Sequence, residues 1–205
     1  MEIYNQLVAY SGIPTTVICN LHSACEPEKN KNYLCSYPGS KTSVINFDKI
    51  KALADKAKGG LKRTRKSVDA LTVTPSGGFL CFVELKSWEL VLMYNGTECS
   101  VRQKAAKYTS ALPLKLSDSM NICEQITNNP DTFGGCRIMY ILVTDISVAD
   151  DGIMAFNSDL TALSGTSSNL KDLCNSLSQG IMNEIKTVET RYWECRSFDK
   201  NLSAL

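Results

Sequence analysis

The chain contains a single histidine, His22, and lacks any run of eighteen consecutive apolar residues. A Ser-His or Cys-His nucleophile needs an imidazole base, so a single histidine disfavours catalysis of that kind. No glycine-rich loop precedes a predicted helix, which removes the usual phosphate cradle of nucleotide-binding enzymes. The absence of a long apolar run predicts that no segment spans a membrane.

The amino-terminal residues carry no signal for export. Residues 1–6 lack the basic start of a signal peptide, and Pro14 interrupts the apolar stretch that follows. The nine cysteines are an odd number for a chain of 205 residues. Without an export signal, these cysteines indicate reduced thiols and a cytoplasmic protein.

The charge is distributed unevenly along the chain. A net charge of +1 combines 15 basic and 9 acidic residues in residues 1–110 with 7 basic and 12 acidic residues in 111–205. Hydrophobic residues make up 43% of the chain, which is ordinary for a globular protein. The basic half favours a polyanionic partner such as nucleic acid, although a solvated lysine surface has the same composition.

A β-hairpin is predicted around the turn sequence Pro-Ser-Gly-Gly at residues 75–78. With the turn centred on residues 76–77, residues that face each other have numbers that sum to 153. Asp69 then faces Glu84, and Lys86 lies two residues further along the same side of the sheet. Two carboxylates and an ammonium are therefore expected to meet at one end of the hairpin.

These three side chains have the chemistry of a phosphodiester hydrolase. Carboxylates on two strands hold Mg²⁺ without removing all of its waters, and a nearby lysine orients or deprotonates one of those waters. Solvated charges at strand ends are the alternative. Residues 79–85 are nearly all apolar apart from Glu84, which predicts a strand covered on both faces, where charges are costly unless they pair or function.

At these residues the sequence resembles the PD-(D/E)xK nuclease superfamily. The resemblance lies in Asp69 and in Glu84-Leu85-Lys86, with Val68 where the family name has Pro. It implies an α/β fold with a mixed central β-sheet flanked by helices and a restriction-endonuclease-like core in the order α-β-β-β-α-β over residues 45–145. It also implies that Asp69 and Glu84 bind Mg²⁺ or Mn²⁺ and that Lys86 is the catalytic lysine.

A helix is predicted over residues 43–58, with Ser43 as its cap. Asp48 and Asp55 lie two turns apart on one side of this helix. The superfamily often supplies an acidic residue from the helix before the Asp strand, so the resemblance makes both of them possible metal ligands. Alternatively, they balance neighbouring lysines.

Basic residues are concentrated just before the Asp strand and in a second predicted helix that begins at residue 102. Pro113 is expected to end or kink that helix, and a further helix is predicted over residues 117–128. The predicted nucleic-acid contacts are Lys62, Arg63, Arg65, Lys66, Arg102 and Lys104. Exposed charges with no partner would have the same pattern.

The remaining pattern predicts a buried strand over residues 137–144, a helix from residue 168 to 188 and a final edge strand over residues 191–196. One domain is expected. Residues 1–44 form a less regular extension, residues 45–145 the nuclease core, and residues 146–205 the last helix and edge strand.

Four soft ligands lie close together near the amino terminus. Cys19, His22, Cys25 and Cys35 give the spacing C-x2-H-x2-C-x9-C, which suits structural Zn²⁺ by ligand type. The alternative is unligated thiols in a loop.

Three classes of function follow. The first is a metal-dependent nuclease that hydrolyses phosphodiester bonds of DNA or RNA, as a homodimer if it cuts both strands. The second is a non-catalytic nucleic-acid- or protein-binding module on the same fold. The third is a zinc-stabilised protein in which the hairpin is ordinary core.

Overall fold

A computed structural model describes residues 2–10, 18–24, 39–57, 65–86, 98–144 and 188–205, with residue 22 and residues 98–110 described as backbone only. The chain has an α/β fold. Its elements are α1 (Glu2–Tyr10), β1 (Ile18–Asn20), α2 (Leu21–Ala24), β2 (Ser43–Asn46), α3 (Phe47–Ala57), β3 (Ala70–Val73), β4 (Leu80–Lys86), α4 (Glu98–Thr127), β5 (Ile138–Thr144), β6 (Val188–Glu194), a 3₁₀ turn (Cys195–Ser197) and α5 (Phe198–Ser203).

The described strands form one mixed sheet in the order β1-β2-β3-β4-β5-β6. Neighbouring strands are antiparallel from β1 to β4 and parallel from β4 to β6. Parallel neighbours need a long connection, and α4 lies within the one between β4 and β5. The predicted mixed sheet is confirmed, and both the amino-terminal extension and the carboxy-terminal region contribute strands to it.

Helices cover both faces of the sheet. One face packs against α1, α3 and α4 and buries Leu7, Phe47, Leu116 and Phe82. The other packs against α2 and α5 and includes Phe198. Because β4 and β5 are covered on both faces, they are apolar along nearly their whole length, as their sequences predict.

The predicted hairpin register is confirmed. Ala70 pairs with Val83 and Val73 with Leu80, so paired numbers sum to 153. The Gly77 N–H donates to the Thr74 carbonyl over 2.8 Å. Gly77 has a φ of 69°, which glycine adopts without steric cost. The regular pairing ends at Ala70, and Asp69 lies just before it, close enough to Glu84 for their charges to interact.

The helix predicted from residue 43 begins later than expected. Residues 43–46 form β2, and α3 starts at Phe47. The cap is Asn46, whose side-chain oxygen accepts a hydrogen bond from the Lys49 N–H over 3.1 Å, so the prediction of Ser43 as cap was wrong. The β-branched residues between these two positions pair with β1 and β3, and that pairing overrides the helical pattern.

Pro113 does not end its helix. It lies inside the single 30-residue helix α4, which replaces the two predicted helices. Leu112 and Leu116 on either side of it are fully buried, and this packing offsets the hydrogen bond that proline cannot donate. No helix in the described ranges is both long enough and apolar enough to cross a membrane.

The predicted final strand is confirmed, with a start at residue 188 instead of 191. It is β6, at the edge of the described sheet, and it ends at Glu194, two residues before the predicted end. The helix predicted from residue 168 falls outside the described residues, except for Val188, which begins β6.

Candidate active site

Asp69 is fixed in place by three hydrogen bonds just before β3. Its N–H donates to the Val83 carbonyl over 3.1 Å, and its carbonyl accepts from the Phe47 N–H over 3.0 Å. Its carboxylate Oδ2 accepts from the Leu85 N–H over 2.6 Å. The carboxylate is therefore held against β4, beside Glu84.

Glu84 is a buried carboxylate with a cation beside it. It is 1% exposed, near the carboxyl end of β4. Its Oε1 lies 2.5 Å from Nζ of Lys115 on α4, and the Lys115 side chain is 22% exposed. Burial of a carboxylate is costly unless a charge compensates it, and Lys115 supplies that charge.

The carboxylates and Lys115 act on one another electrostatically. Burial, and next the charge of Glu84, raise the pKa of Asp69 well above its ordinary value, although Lys115 and the Leu85 N–H oppose this shift. Burial alone would lower the pKa of Lys115, but the charges of Glu84 and Asp69 outweigh that effect and raise it. Lys115 is therefore a charged ammonium between two acids.

Tyr140 lies on β5, in register with Phe82 of β4. Its side chain is 1% exposed, and its hydroxyl has no hydrogen-bond partner among the residues that the structure describes. Burial, and then the charges of Glu84 and Asp69, raise the pKa of Tyr140 well above its ordinary value. A buried donor without a partner close to two carboxylates indicates a site that binds a further polar group or water.

Lys86 ends β4 and is half-buried. Alternation along the strand places it on the same side as Glu84, and it pairs in register with Thr144 of β5. The Thr144 hydroxyl lies 2.7 Å from the Tyr192 hydroxyl. The predicted lysine is therefore at the same end of the sheet as the two acids.

Asp48 and Asp55 have different surroundings. Asp48, near the start of α3, is exposed and accepts a hydrogen bond from the Ser67 hydroxyl. Its charge acts on both Asp69 and Lys115, so it lies at the edge of the site. Asp55 is two turns further along, about 10 Å away, and pairs with Arg65.

The segment before β3 is bound to α4 by side chains. The Lys66 N–H donates to Asp118 over 2.8 Å, and the Val68 N–H donates to the Ser119 hydroxyl over 3.0 Å. Arg65, predicted to contact nucleic acid, donates to Gln125 over 3.0 Å and is also paired with Asp55. Lys66 is exposed at the same end of the segment.

Several predicted residues fall outside the described parts of the chain. They are Lys62, Arg63, Cys25 and Cys35, together with the side chains of Arg102, Lys104 and His22. Cys19 is in the middle of β1, opposite Val44. The described cysteines form no disulfide, and the predicted zinc site stays a prediction.

Lys115 was missed by sequence reasoning, although its position carried a signal. It occupies the helical stripe that contains Leu112, Leu116 and Ser119, all of which are buried. A charged residue on a buried stripe needs a partner. Because Pro113 was expected to interrupt the helix, the three- and four-residue spacing that places Lys115 on this stripe was not recognised. Tyr140 carried no comparable signal, because a tyrosine in a buried strand is common.

The residues present fit a Mg²⁺ or Mn²⁺ ion. Mg²⁺ prefers oxygen ligands and usually keeps several waters, so one or two carboxylates are enough, and Asp69 and Glu84 supply them. Within the described ranges, no group of three or more His, Cys, Asp or Glu side chains is arranged to hold a metal. The Tyr140 hydroxyl, which has no partner among the described residues, is acted on by the charges of both carboxylates.

No protein-family model, curated protein or solved structure matches this chain.

Proposed function

We propose that this protein is a metal-dependent nuclease with a restriction-endonuclease-like core that hydrolyses phosphodiester bonds of DNA or RNA. The observation that carries the proposal is the closeness of the Asp69 and Glu84 carboxylates, with Asp69 held on β4 by the Leu85 N–H and Lys86 at the end of that strand. The described order from α3 to β5 is α-β-β-α-β, and the third strand that the proposed core has before its second helix would fall in residues 87–97, outside the described residues.

In this proposal each side chain has a distinct role. Asp69 and Glu84 hold Mg²⁺ or Mn²⁺ by carboxylate oxygens. The ion, when bound, makes a coordinated water more acidic and stabilises negative charge on the phosphate. Lys86 would accept the proton of the attacking water as a neutral amine, or, as an ammonium, would neutralise charge that develops on the phosphate oxygens. Asp48 supplies a further acid at the edge of the site.

Nucleic acid is the proposed substrate because a basic segment leads into the Asp strand. Lys66 is exposed there, next to Lys62 and Arg63 in the sequence. Arg65 is paired with Asp55 and Gln125, so we assign it a structural role in positioning that segment. Cutting both strands of a duplex would need two such sites, which a homodimer provides.

The alternative is a non-catalytic binding module on the same fold. One observation favours it: Lys115 already compensates the Glu84 charge without any metal ion. In that case the ion pair is a structural element of the core, and Lys86 has no chemical task.

Cleavage assays with matched variants separate the two candidates. The wild type is incubated with single-stranded, duplex and branched DNA and RNA in Mg²⁺ or Mn²⁺, with a chelator as the blank. Lys86→Met removes the proposed catalytic charge, and Lys56→Met removes an exposed charge at the end of α3.

The proposal expects cleavage by the wild type and by Lys56→Met, and a loss of roughly 100-fold or more in Lys86→Met. Folded wild-type protein that cuts none of these substrates with either ion would overturn the nuclease proposal. Binding of nucleic acid without cleavage would support the binding module.

A further inference from the structure

We propose that the Lys115 ammonium is an internal counter-ion that occupies the cation position at Glu84 and is displaced when a divalent metal ion binds. The inference rests on the proposed function, because it concerns the same carboxylates. It adds a positioning residue from α4 to a site otherwise built from strands β3 and β4.

The first step is the location of the ammonium. Its Nζ is 2.5 Å from Glu84 Oε1, and the charges of Asp69 and Asp48 also act on it. A metal ion bound by Glu84 and Asp69 would lie against the same Glu84 carboxylate that Lys115 contacts through Oε1. Two cations close together repel each other strongly in a partly buried site, so the two occupancies exclude one another.

The second step is the route by which Lys115 leaves. Its side chain is 22% exposed, and lysine has a flexible four-carbon stem. The ammonium can therefore move toward solvent while Leu112 and Leu116 keep α4 packed on the sheet. After displacement it stays within one side-chain length of the acids, where a phosphate group would approach.

The third step is the buried Tyr140 hydroxyl. It lacks a partner among the described residues and lies close to Glu84 and Asp69. While Lys115 is paired with Glu84, the Tyr140 hydroxyl therefore has no hydrogen-bond partner among the described residues. Entry of a hydrated ion would bring waters that this hydroxyl can bind.

Metal affinity provides the first test. Binding of Mn²⁺ is measured from the loss of the free-ion electron paramagnetic resonance signal, and Mg²⁺ binding by competition. Lys115→Met removes the ammonium and keeps an unbranched apolar stem, whereas Lys56→Met removes an exposed charge from α3. We expect Mn²⁺ to bind Lys115→Met at least about tenfold more tightly than wild type, which corresponds to about 1.4 kcal/mol. Lys56→Met should match the wild type.

A second measurement uses only the wild type, in case Lys115→Met does not fold. Amine acetylation followed by mass spectrometry reports the accessibility of Lys115 with and without saturating Mg²⁺, with Lys56 as the internal reference. Displacement predicts that Lys115 reacts several-fold faster in Mg²⁺ while Lys56 is unchanged. An unchanged Lys115 rate in protein that demonstrably binds the ion would overturn the inference.

The outcomes separate this inference from the proposed function. If wild type and Lys115→Met bind Mn²⁺ equally and the wild type cleaves nucleic acid, the counter-ion role is wrong and the nuclease stands. If neither folded protein binds Mn²⁺ or Mg²⁺, both proposals fall.

Discussion

The Leu85 N–H donates to the Asp69 carboxylate over 2.6 Å, at a point where an unbroken antiparallel ladder would offer the carbonyl of Val68. A side chain thus replaces the backbone as the acceptor at the end of the hairpin. The exchange fixes the carboxylate beside Glu84, so that in the proposed nuclease Asp69 has a structural task in addition to the proposed chemical one.

Asp69→Asn separates these tasks. Asparagine keeps an oxygen that accepts from the Leu85 N–H, but it has no charge. Since the folded state raises the pKa of Asp69, its ionised form costs stability at neutral pH, and we expect the variant to be at least as stable as wild type. Cleavage should fall by at least roughly 100-fold, or about 2.7 kcal/mol of transition-state stabilisation.

Urea denaturation at pH 7 and the cleavage assay measure the two effects of Asp69→Asn. Retained metal-dependent cleavage would show that the carboxylate charge has no chemical task. A marked loss of stability would show that asparagine does not accept the Leu85 hydrogen bond.

The Glu84–Lys115 pair should show strong coupling in a double-mutant cycle. Lys115→Met leaves a buried carboxylate without compensation and is expected to cost about 3–5 kcal/mol. Glu84→Gln should cost less, because the Lys115 side chain reaches solvent. The double variant should lose less stability than the sum of the two, by about 0.5–3 kcal/mol. Chemical denaturation without divalent ions measures the cycle, and additive effects would mean that the pair carries no net interaction.

Low pH should weaken the hydrogen bonds that join Asp199 of α5 to the loop before β2. The Asp199 carboxylate accepts from Ser40, Thr42 and the Lys41 N–H over 2.6–2.7 Å. Burial opposes the shift, but these hydrogen bonds, the one from Thr42 foremost, lower the pKa of Asp199. Its contribution is therefore fully present above the unfolded pKa, about 3.9, and is lost as the pH falls through the lower folded value.

Asp199→Asn tests this linkage. At pH 7 the variant should be less stable than wild type by about 1 kcal/mol, because the hydrogen bonds lose their charged acceptor. The gap between the two proteins should narrow as the pH is lowered below 4. Denaturation midpoints at neutral and acidic pH measure it, and a gap that stays constant would exclude Asp199 as its source.

Thiol reactivity should follow burial. Burial raises the pKa of the Cys81 thiol to about 12, so the reactive thiolate is scarce at neutral pH. Cys136, in the turn before β5, is partly exposed. A disulfide reagent followed by mass spectrometry should modify Cys136 well before Cys81 in the folded protein. Equal rates would mean that the sheet opens on the timescale of labelling.

The parts of the fold that sequence could predict are local. The hairpin register follows from residues 75–78 and from the alternation beside them, and it brings Asp69 close to Glu84 at the end of the paired residues. Strand β5 is nearly continuous in apolar residues and is correctly bounded to within one residue at its start.

The parts that sequence did not predict depend on packing between distant segments. Residues 43–46 were included in the predicted helix because Ser43 is a good cap, but pairing with strands on both sides makes them β2. Pro113 is accommodated because its neighbours are buried against the sheet, a contact with no local signature. Lys115 reaches Glu84 across 31 positions in the chain, and no local pattern specifies that pairing.

The hydrogen bonds from Lys66 and Val68 to Asp118 and Ser119 give helix α4 a second role. The same helix supports the backbone that leads into Asp69 and carries the ammonium that faces Glu84. Local unfolding of α4 would remove the support of the backbone before Asp69 and the Lys115 ammonium at the same time. The acids and the counter-ion would therefore lose their arrangement cooperatively. A molecule that binds α4 away from the strand ends could therefore change the positions of Asp69 and Lys115 together.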